Sequence, residues 1–275
     1  MAGIDRSSFN GNPFPPEIVS EILNTGLHGA PVFDALTRRT TSRGSLVFAT
    51  GDPSGFDWVA ELGEIPSVDP GDDSATVAVT KLAGLLLLGN EAIGDSELNL
   101  TTEVGRLISE SMASKADTDL TYGVTPAAPE APAGIFDGLT NIAEATLRAS
   151  VVAAAADIMT AGGTPNVILL SPALWAGEMT RRETQPTAVG PLFSDLGLDQ
   201  LTIKVAATLK PTDALVLDSA GCFGIVRNDY SIEASNTSGD AWTRDGVSLR
   251  VKARLAMAIP APGKHARSVA VEAAP

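Results

Sequence analysis

Residues 51–79 read GDPSGFDWVAELGEIPSVDPGDDSATVAV, and no other stretch restricts the possible folds so much. Turn formers (Pro53, Gly55, Gly63, Pro66, Pro70, Gly71) and acids (Asp57, Glu61, Glu64, Asp69, Asp72, Asp73) separate the apolar anchors Trp58, Val59, Leu62 and Ile65. The β-rich runs SLVFAT (45–50) and SATVAVTKLAGLLLL (74–88) flank it, which predicts a long, open-ended hairpin. Such a hairpin has no core of its own and leaves its anchors wet on an isolated chain. A neighbouring chain must cover them. The opening residues, MAGIDRSSFNGNPFPP, read as an extended arm with Phe9 and Phe14 as isolated anchors, and ordering it also requires contacts outside itself. Two appendages on one body point to an assembly protein.

The body reads as α+β. A short helix is expected over 17–24, stopped by Gly26. Over 99–120 the apolar positions Leu100, Val104, Leu107, Ile108, Met112, Ala116 and Leu120 recur at three and four, which predicts one long helix with one buried stripe. Glu103, Arg106, Glu110, Lys115, Asp117 and Asp119 fill its polar remainder. After the Pro-rich turn 123–135, an Ala-rich helix is expected over 138–161, ended by Gly162 and Gly163. The strand PNVILLS, a helix through Trp175 and Met179, a loop at 181–191 and the strands LTIKVAA, DALVLDS and CFGIVRN then form a small α/β layer. In GVSLRVKARLAMAI (246–259), Val247, Leu249, Val251, Ala253, Leu255, Met257 and Ile259 line one face, with Ser248, Arg250, Lys252 and Arg254 on the other.

Several function classes are disfavoured. The net charge of -14 argues against a general nucleic-acid surface, and the lone Cys222 allows no intramolecular disulfide or cysteine-based zinc site. No signal peptide or bilayer-spanning stretch is evident, so no membrane partner is expected. Nucleotide, nucleophile-elbow and zincin motifs are missing, and DPGDD (69–73) lacks the spacing of a calcium loop. No catalytic residue, metal site or cofactor is assigned. His28 and His265 read as surface or satisfied structural residues, and Cys222 as a small core residue. Three basic features remain open. Arg250, Lys252 and Arg254 serve either ion pairs, within or between subunits, or DNA. Arg38, Arg39 and Arg43 serve either nucleic acid on an inner surface or subunit contact, and Arg181–Arg182 opens a loop.

The order of these parts carries a resemblance. GFDWVAELGEIPSVDP, SATVAVTKLAGLLLLGNEAIGDSELNLTTEVGRLISESMASKADTDLTYG, PAGIFDG, NVILLSPALWAGE and DGVSLRVKARLAMAIPAP follow one another as in the major capsid proteins of tailed phages with the Hong Kong 97 fold, and the likeness runs from about Glu17 to Pro262. That resemblance implies an N-terminal arm (1–43), an extended loop (44–80), a peripheral domain with a long spine helix (81–135 and 236–275) and an α/β axial domain (136–235). It makes Phe9, Phe14, Trp58, Val59, Leu62, Ile65, Arg181 and Arg182 intersubunit candidates, and Arg38, Arg39 and Arg43 inner-surface DNA candidates. It further implies pentamers and hexamers closing into an icosahedral shell in a host cytoplasm, with packaged double-stranded DNA, a portal, a separate scaffold and in some cases a decoration protein. Some relatives cross-link a loop lysine to a neighbour's asparagine. No lysine lies between 44 and 80, so a non-covalent shell is expected. The alternatives are a bacterial encapsulin shell and a small α/β enzyme with its site in 136–230.

Overall fold

In chain order the elements are β1 (Thr37–Thr41), β2 (Ser45–Ala49), β3 (Ser74–Ala78), β4 (Thr80–Gly89), α1 (Leu100–Tyr122), β5 (Asn141–Ile142), α2 (Leu147–Thr160), β6 (Val167–Leu170), α3 (Pro172–Thr184), β7 (Thr202–Val205), β8 (Asp213–Leu217), β9 (Phe223–Arg227), β10 (Ser231–Ser235), β11 (Gly246–Ala258), α4 (Pro262–His265) and β12 (Ala266–Ala270). The computed structural model describes residues 30–51, 54–69, 71, 73–91, 100–124, 131–184, 201–227, 231–237 and 239–270. The helix expected over 17–24 lies outside them. The result is the α+β architecture expected, with the long hairpin and the long helix in place.

The alternation in 246–258 produces the strand on which the first sheet is built. β11 pairs along one edge with β4, from Gly246 opposite Gly89 to Leu255 opposite Thr80. Its other edge is shared by β10, opposite 248–252, and β9, opposite 255–258, and β1 adds to β9 in parallel. Val247, Leu249, Val251, Ala253 and Leu255 are buried in one core cluster with Met112, Ala116 and Leu120 of α1. The second sheet has the order β5-β12-β8-β6-β7. Its strands β6 and β8 are buried at every residue. One face packs beneath Val151, Ala154 and Ile158 of α2, while Leu169, Leu215 and Leu217 join the first sheet's core.

Several expectations shift. CFGIVRN supplies β9 to the first sheet instead of the α/β layer, and β12 returns to the second, so the chain crosses between the two more often than the expected division implies. The Ala-rich helix begins at Leu147, not near 138. Asn141 and Ile142 are drawn into an edge strand beside β12, and Thr146 caps the helix by accepting the Ala149 N–H on its Oγ1 at 3.2 Å. Gly162, at φ 82°, ends it as foreseen. Residues 181–184 complete α3 instead of opening a loop.

On α1 the buried stripe is displaced. Leu107 is 51% exposed, whereas Asp117, assigned to the polar face, is wholly buried. The Asp117 carboxylate accepts the N–H groups of Phe33 (2.8 Å) and Val32 (3.2 Å) and the hydroxyl of Thr208. Burial raises its carboxyl above the usual range, against the pull of those three donors. The first described residues are thereby docked on the body, with Ala30, Val32 and Phe33 buried.

Two positions of the expected α1 stripe, Met112 and Leu107, should respond differently to truncation. Met112→Ala, which empties a buried site, should cost about 2–5 kcal/mol. Leu107→Ala should cost less than about 1 kcal/mol. Urea unfolding of unassembled chain measures both, and equal losses would contradict the burial described.

Candidate assembly surfaces

The hairpin is a finger. β2 and β3 pair from Ser45 opposite Ala78 to Ala49 opposite Ser74, and Ser54 and Asp69 exchange two backbone hydrogen bonds of 2.9 Å farther out. Its base is anchored: Leu46, Phe48, Val77 and Val79 pack on Phe223, Ile225, Ala256 and Ala258, and the Phe48 and Phe223 rings stack at 5.1 Å. Its tip is bare. Trp58 and Leu62 are fully exposed, Phe56 and Ile65 largely so, and Val59 and Val68 less so. Leu62 also sits at φ 65°, in the tight turn where the Gly63 N–H reaches the Ala60 carbonyl at 2.8 Å. A leucine in that region costs about 1 kcal/mol or more, and a side chain wholly in solvent regains nothing within its own chain. Of these tip residues, Phe56 and Val68 escaped the sequence reading although they stand among the same turn residues.

A second apolar surface lies between α1 and β4. It is an open groove of ≈ 540 Å³ with Leu82, Leu86, Leu88, Val104, Ile108 and Met112 on its walls. Leu85 and Leu107 stand exposed at its lips. The alternation of β4 and the helical period of α1 create this groove, because each element presents more leucines than the sheet–helix core can cover.

The arginines of the first segment are partly engaged. Arg38 pairs with Asp34 and lies 5.9 Å from the Phe33 ring centroid; Arg39 lies over the Phe223 ring at 4.2 Å. The Arg43 backbone N–H donates to the Thr41 hydroxyl at 3.1 Å, and its residue is exposed. On β11, Arg250 and Lys252 both pair with Glu233, which stands directly opposite Arg250 on β10. For Arg250 and Lys252, two of the three cations of that row, intramolecular ion pairs are therefore observed. Lys252 and Arg250 together hold the Glu233 carboxyl down at about 2, against an ordinary value of 4.5.

The remaining polar groups are structural. The His265 imidazole pairs through Nδ1 with Asp218 Oδ2 at 2.9 Å. Burial raises the Asp218 carboxyl, but donation from Thr164, His265 and Ala220 outweighs it and leaves the group below the usual range. Burial and the nearby Asp218 charge push the Cys222 thiol up to about 12, so it is an inert core residue. Buried Arg267 is tied to Asp157 and to the carbonyls of Pro262, Gly263 and Ala266. Among the described residues no His, Cys, Asp or Glu cluster of metal-binding size occurs, and no helix is long and apolar enough to cross a membrane. Phe9, Phe14 and His28 lie outside the described residues, as do the side chains of Arg181 and Arg182. The structure also exposes Trp242, on the β10–β11 turn, to 75%. A lone tryptophan among polar residues carries no periodic signal by which sequence reasoning could have found it.

Comparison with known proteins agrees with this layout. A family model described as the phage capsid family matches residues 10–177. Solved structures with the same fold include one from Mycobacterium phage Cain (18% identity, TM-score 0.71) and one from Mycobacterium phage Adephagia (19%, 0.69), each alignment covering 100% of both chains. A virus-like particle from Pyrococcus furiosus is also similar, at 12% identity and TM-score 0.61, covering 93% of this chain and 98% of that one. No curated protein matches.

The Glu233 pairing has a defined acid limb. Its folded-state pKa is depressed, so its stabilisation is present above about pH 4.5 and is lost as pH falls through about 2. Between those values, the advantage of the wild type over Glu233→Gln in urea midpoint should shrink towards zero. A constant difference across that window would rule the pairing out.

Proposed function

Because the chain belongs to the phage capsid family, of which it is a structural member with the Hong Kong 97 fold, we propose that it closes in pentamers and hexamers into the icosahedral head of a tailed double-stranded DNA phage. The observation that carries the reading is the finger, whose base is packed against the body while Trp58 and Leu62 at its tip have no cover. An apolar tip fixed in this way gains burial only outside its own chain, and the α1–β4 groove of another copy is a surface of matching character. The same reading takes the virion as the protein's final location and the host cytoplasm as its place of assembly. It assigns a separate scaffold, a portal and, in some heads, a decoration protein as partners.

The role is structural and not enzymatic. DNA contact, if made from the inner face, falls first to Arg43, since Arg38 and Arg39 already stand against Asp34 and Phe223. Phe9, Phe14, Arg181 and Arg182 remain intersubunit candidates in the same scheme, on the residue types and positions alone. A second reading, a nanocompartment shell around protein cargo, draws on the likeness to the Pyrococcus furiosus virus-like particle. Electron microscopy of purified shells with analysis of their contents separates the two: packaged DNA favours the first, and a protein cargo the second.

Two outcomes follow for the purified protein. Trp58→Ala should leave the far-ultraviolet circular dichroism and urea midpoint of the unassembled chain unchanged, yet reduce shell yield severely, since an interfacial tryptophan contributes upward of about 2 kcal/mol per contact. Unfolding of the variant chain would instead place Trp58 in a core. Boiled particles should run as a single band near 28.3 kDa on a denaturing gel, because no lysine lies in the finger to attack a neighbour's side chain. A reductant-resistant ladder would show covalent linkage.

A further inference from the structure

The finger meets the body at one aromatic ring. Leu46, Val77 and Val79 of its base are aliphatic, and contacts of that kind hold two surfaces together without fixing the angle between them. The stack of Phe48 on Phe223 is different: its rings lie within 10° of parallel at 5.1 Å, and a large tilt of the finger would part them. The angle of the finger is therefore only as well defined as the position of the Phe223 ring.

That ring is held by its surroundings. On the other face of β9, the Phe33 ring closes on Gly224, 3.1 Å from where a Cβ would stand, so the strand is backed from behind. Over the Phe223 ring itself stands the Arg39 guanidinium, its central carbon 4.2 Å from the centroid. Arg39 faces Ile225 in the parallel register of β1 and β9, and its side chain reaches back along the strand to Phe223. β1 presents it from a fixed backbone. The Thr37 N–H donates to the Cys222 carbonyl (2.9 Å) and the Thr37 hydroxyl to the Ser219 carbonyl (2.7 Å), while Arg38, on the opposite face, pairs with Asp34. Arg39 is exposed, yet its charge rests on the ring instead of extending into water. A planar cation on a phenyl face is attracted by the ring's quadrupole and opposes the rotation that would turn the ring out. Only residues 42–44 connect β1 to β2, so the strand carrying Arg39 and the strand carrying Phe48 are consecutive and both close on Phe223.

We infer that Arg39 is a positioning residue of the finger: seated on Phe223, it fixes the ring against which Phe48 stacks and so sets the angle at which the tip is offered to another copy. The angle is a property of the single chain; its consequence for assembly rests on the shell reading above. This role differs from contact with nucleic acid or with a neighbouring subunit, because the side chain acts within its own chain and through another residue.

The test places nitroxide labels at Glu64→Cys on the finger and Thr160→Cys at the end of α2 in full-length, unassembled chain, with buried Cys222 left in place, and reads their separation by pulsed electron paramagnetic resonance. Arg39→Gln should raise the share of distances outside the main peak about two- to fivefold, the weight of one exposed cation–π contact. Its urea midpoint should fall far less than that of Phe223→Leu. Arg39→Lys should lie between wild type and Arg39→Gln, since an ammonium keeps the charge without the flat face. Phe223→Leu should broaden the distribution at least as much as Arg39→Gln, and combining the two should broaden it no further. An unchanged distribution in Arg39→Gln, a urea midpoint lowered as far as in Phe223→Leu, or further broadening in the double variant would each overturn the inference. In electron micrographs, Arg39→Gln should shift the particles from one diameter to several. Uniform shells from a variant whose finger has broadened would instead overturn the finger's part in the shell reading and leave Arg39 as its positioning residue.

Discussion

The fold depends on the antiparallel ladder between β4 and β11. Every hydrogen bond of that ladder fixes two things at once, because the alternation of β11 turns its apolar residues toward α1 and its charges to the opposite face. Register cannot slip by one residue without burying Arg250, Lys252 and Arg254 and exposing Leu249, Val251 and Ala253. The remaining parts are placed relative to this ladder. β9 and β10 complete its second edge, α1 covers its apolar face, and Glu233 pairs with two cations on its polar face. The finger leaves the Thr80 end of this ladder, so its base is placed by strand pairing and packing and not by a flexible linker.

A buried carboxylate ties the rest to this frame. Asp117 sits on α1, accepts two N–H groups from the residues before β1, and accepts a hydroxyl from the turn after β7. Those three parts of the chain are remote in sequence and meet in one apolar cluster, where the directional bonds to Asp117 fix how they are aligned. Burial, with a smaller contribution from the nearby Asp34 charge, raises the cost of ionising the group and shifts its pKa upward. Such a group is weak as a source of stability and strong as a selector of one arrangement, because any docking that strands the charge is penalised.

The sequence discloses most of the elements because the periods are strong. The two-residue period of 246–258, the helical period of 100–122 and the continuous apolar runs of β6 and β8 each match what forms. Pairing partners are less legible: CFGIVRN looks the same whether it joins the α/β layer or the first sheet, since a buried strand is apolar on both faces in either place. Asp117 could not be found by pattern, because an aspartate beside Asp119 and Lys115 reads as solvent-facing until its acceptors' donors are located. The finger was legible as a whole, its residues being apolar where no core could exist. Trp242 was not, because a lone exposed tryptophan among polar residues carries no periodic signal.

The anchoring of the finger by a few aromatic and aliphatic contacts at one end makes it a lever. From Ala78 to Ile65 the chain spans at most about 43 Å, at roughly 3.3 Å per residue. A tilt of roughly 10° about the Phe48–Phe223 stack therefore carries the tip through about 7 Å, while the stacked rings slide by less than about 1 Å. Packing at the pivot tolerates such a slide, and backbone bonds across β2 and β3 are untouched by it. One sequence can thus adjust its reach to neighbours that stand at somewhat different distances and angles, as the proposed five-membered and six-membered rings would require, without refolding any part of the body.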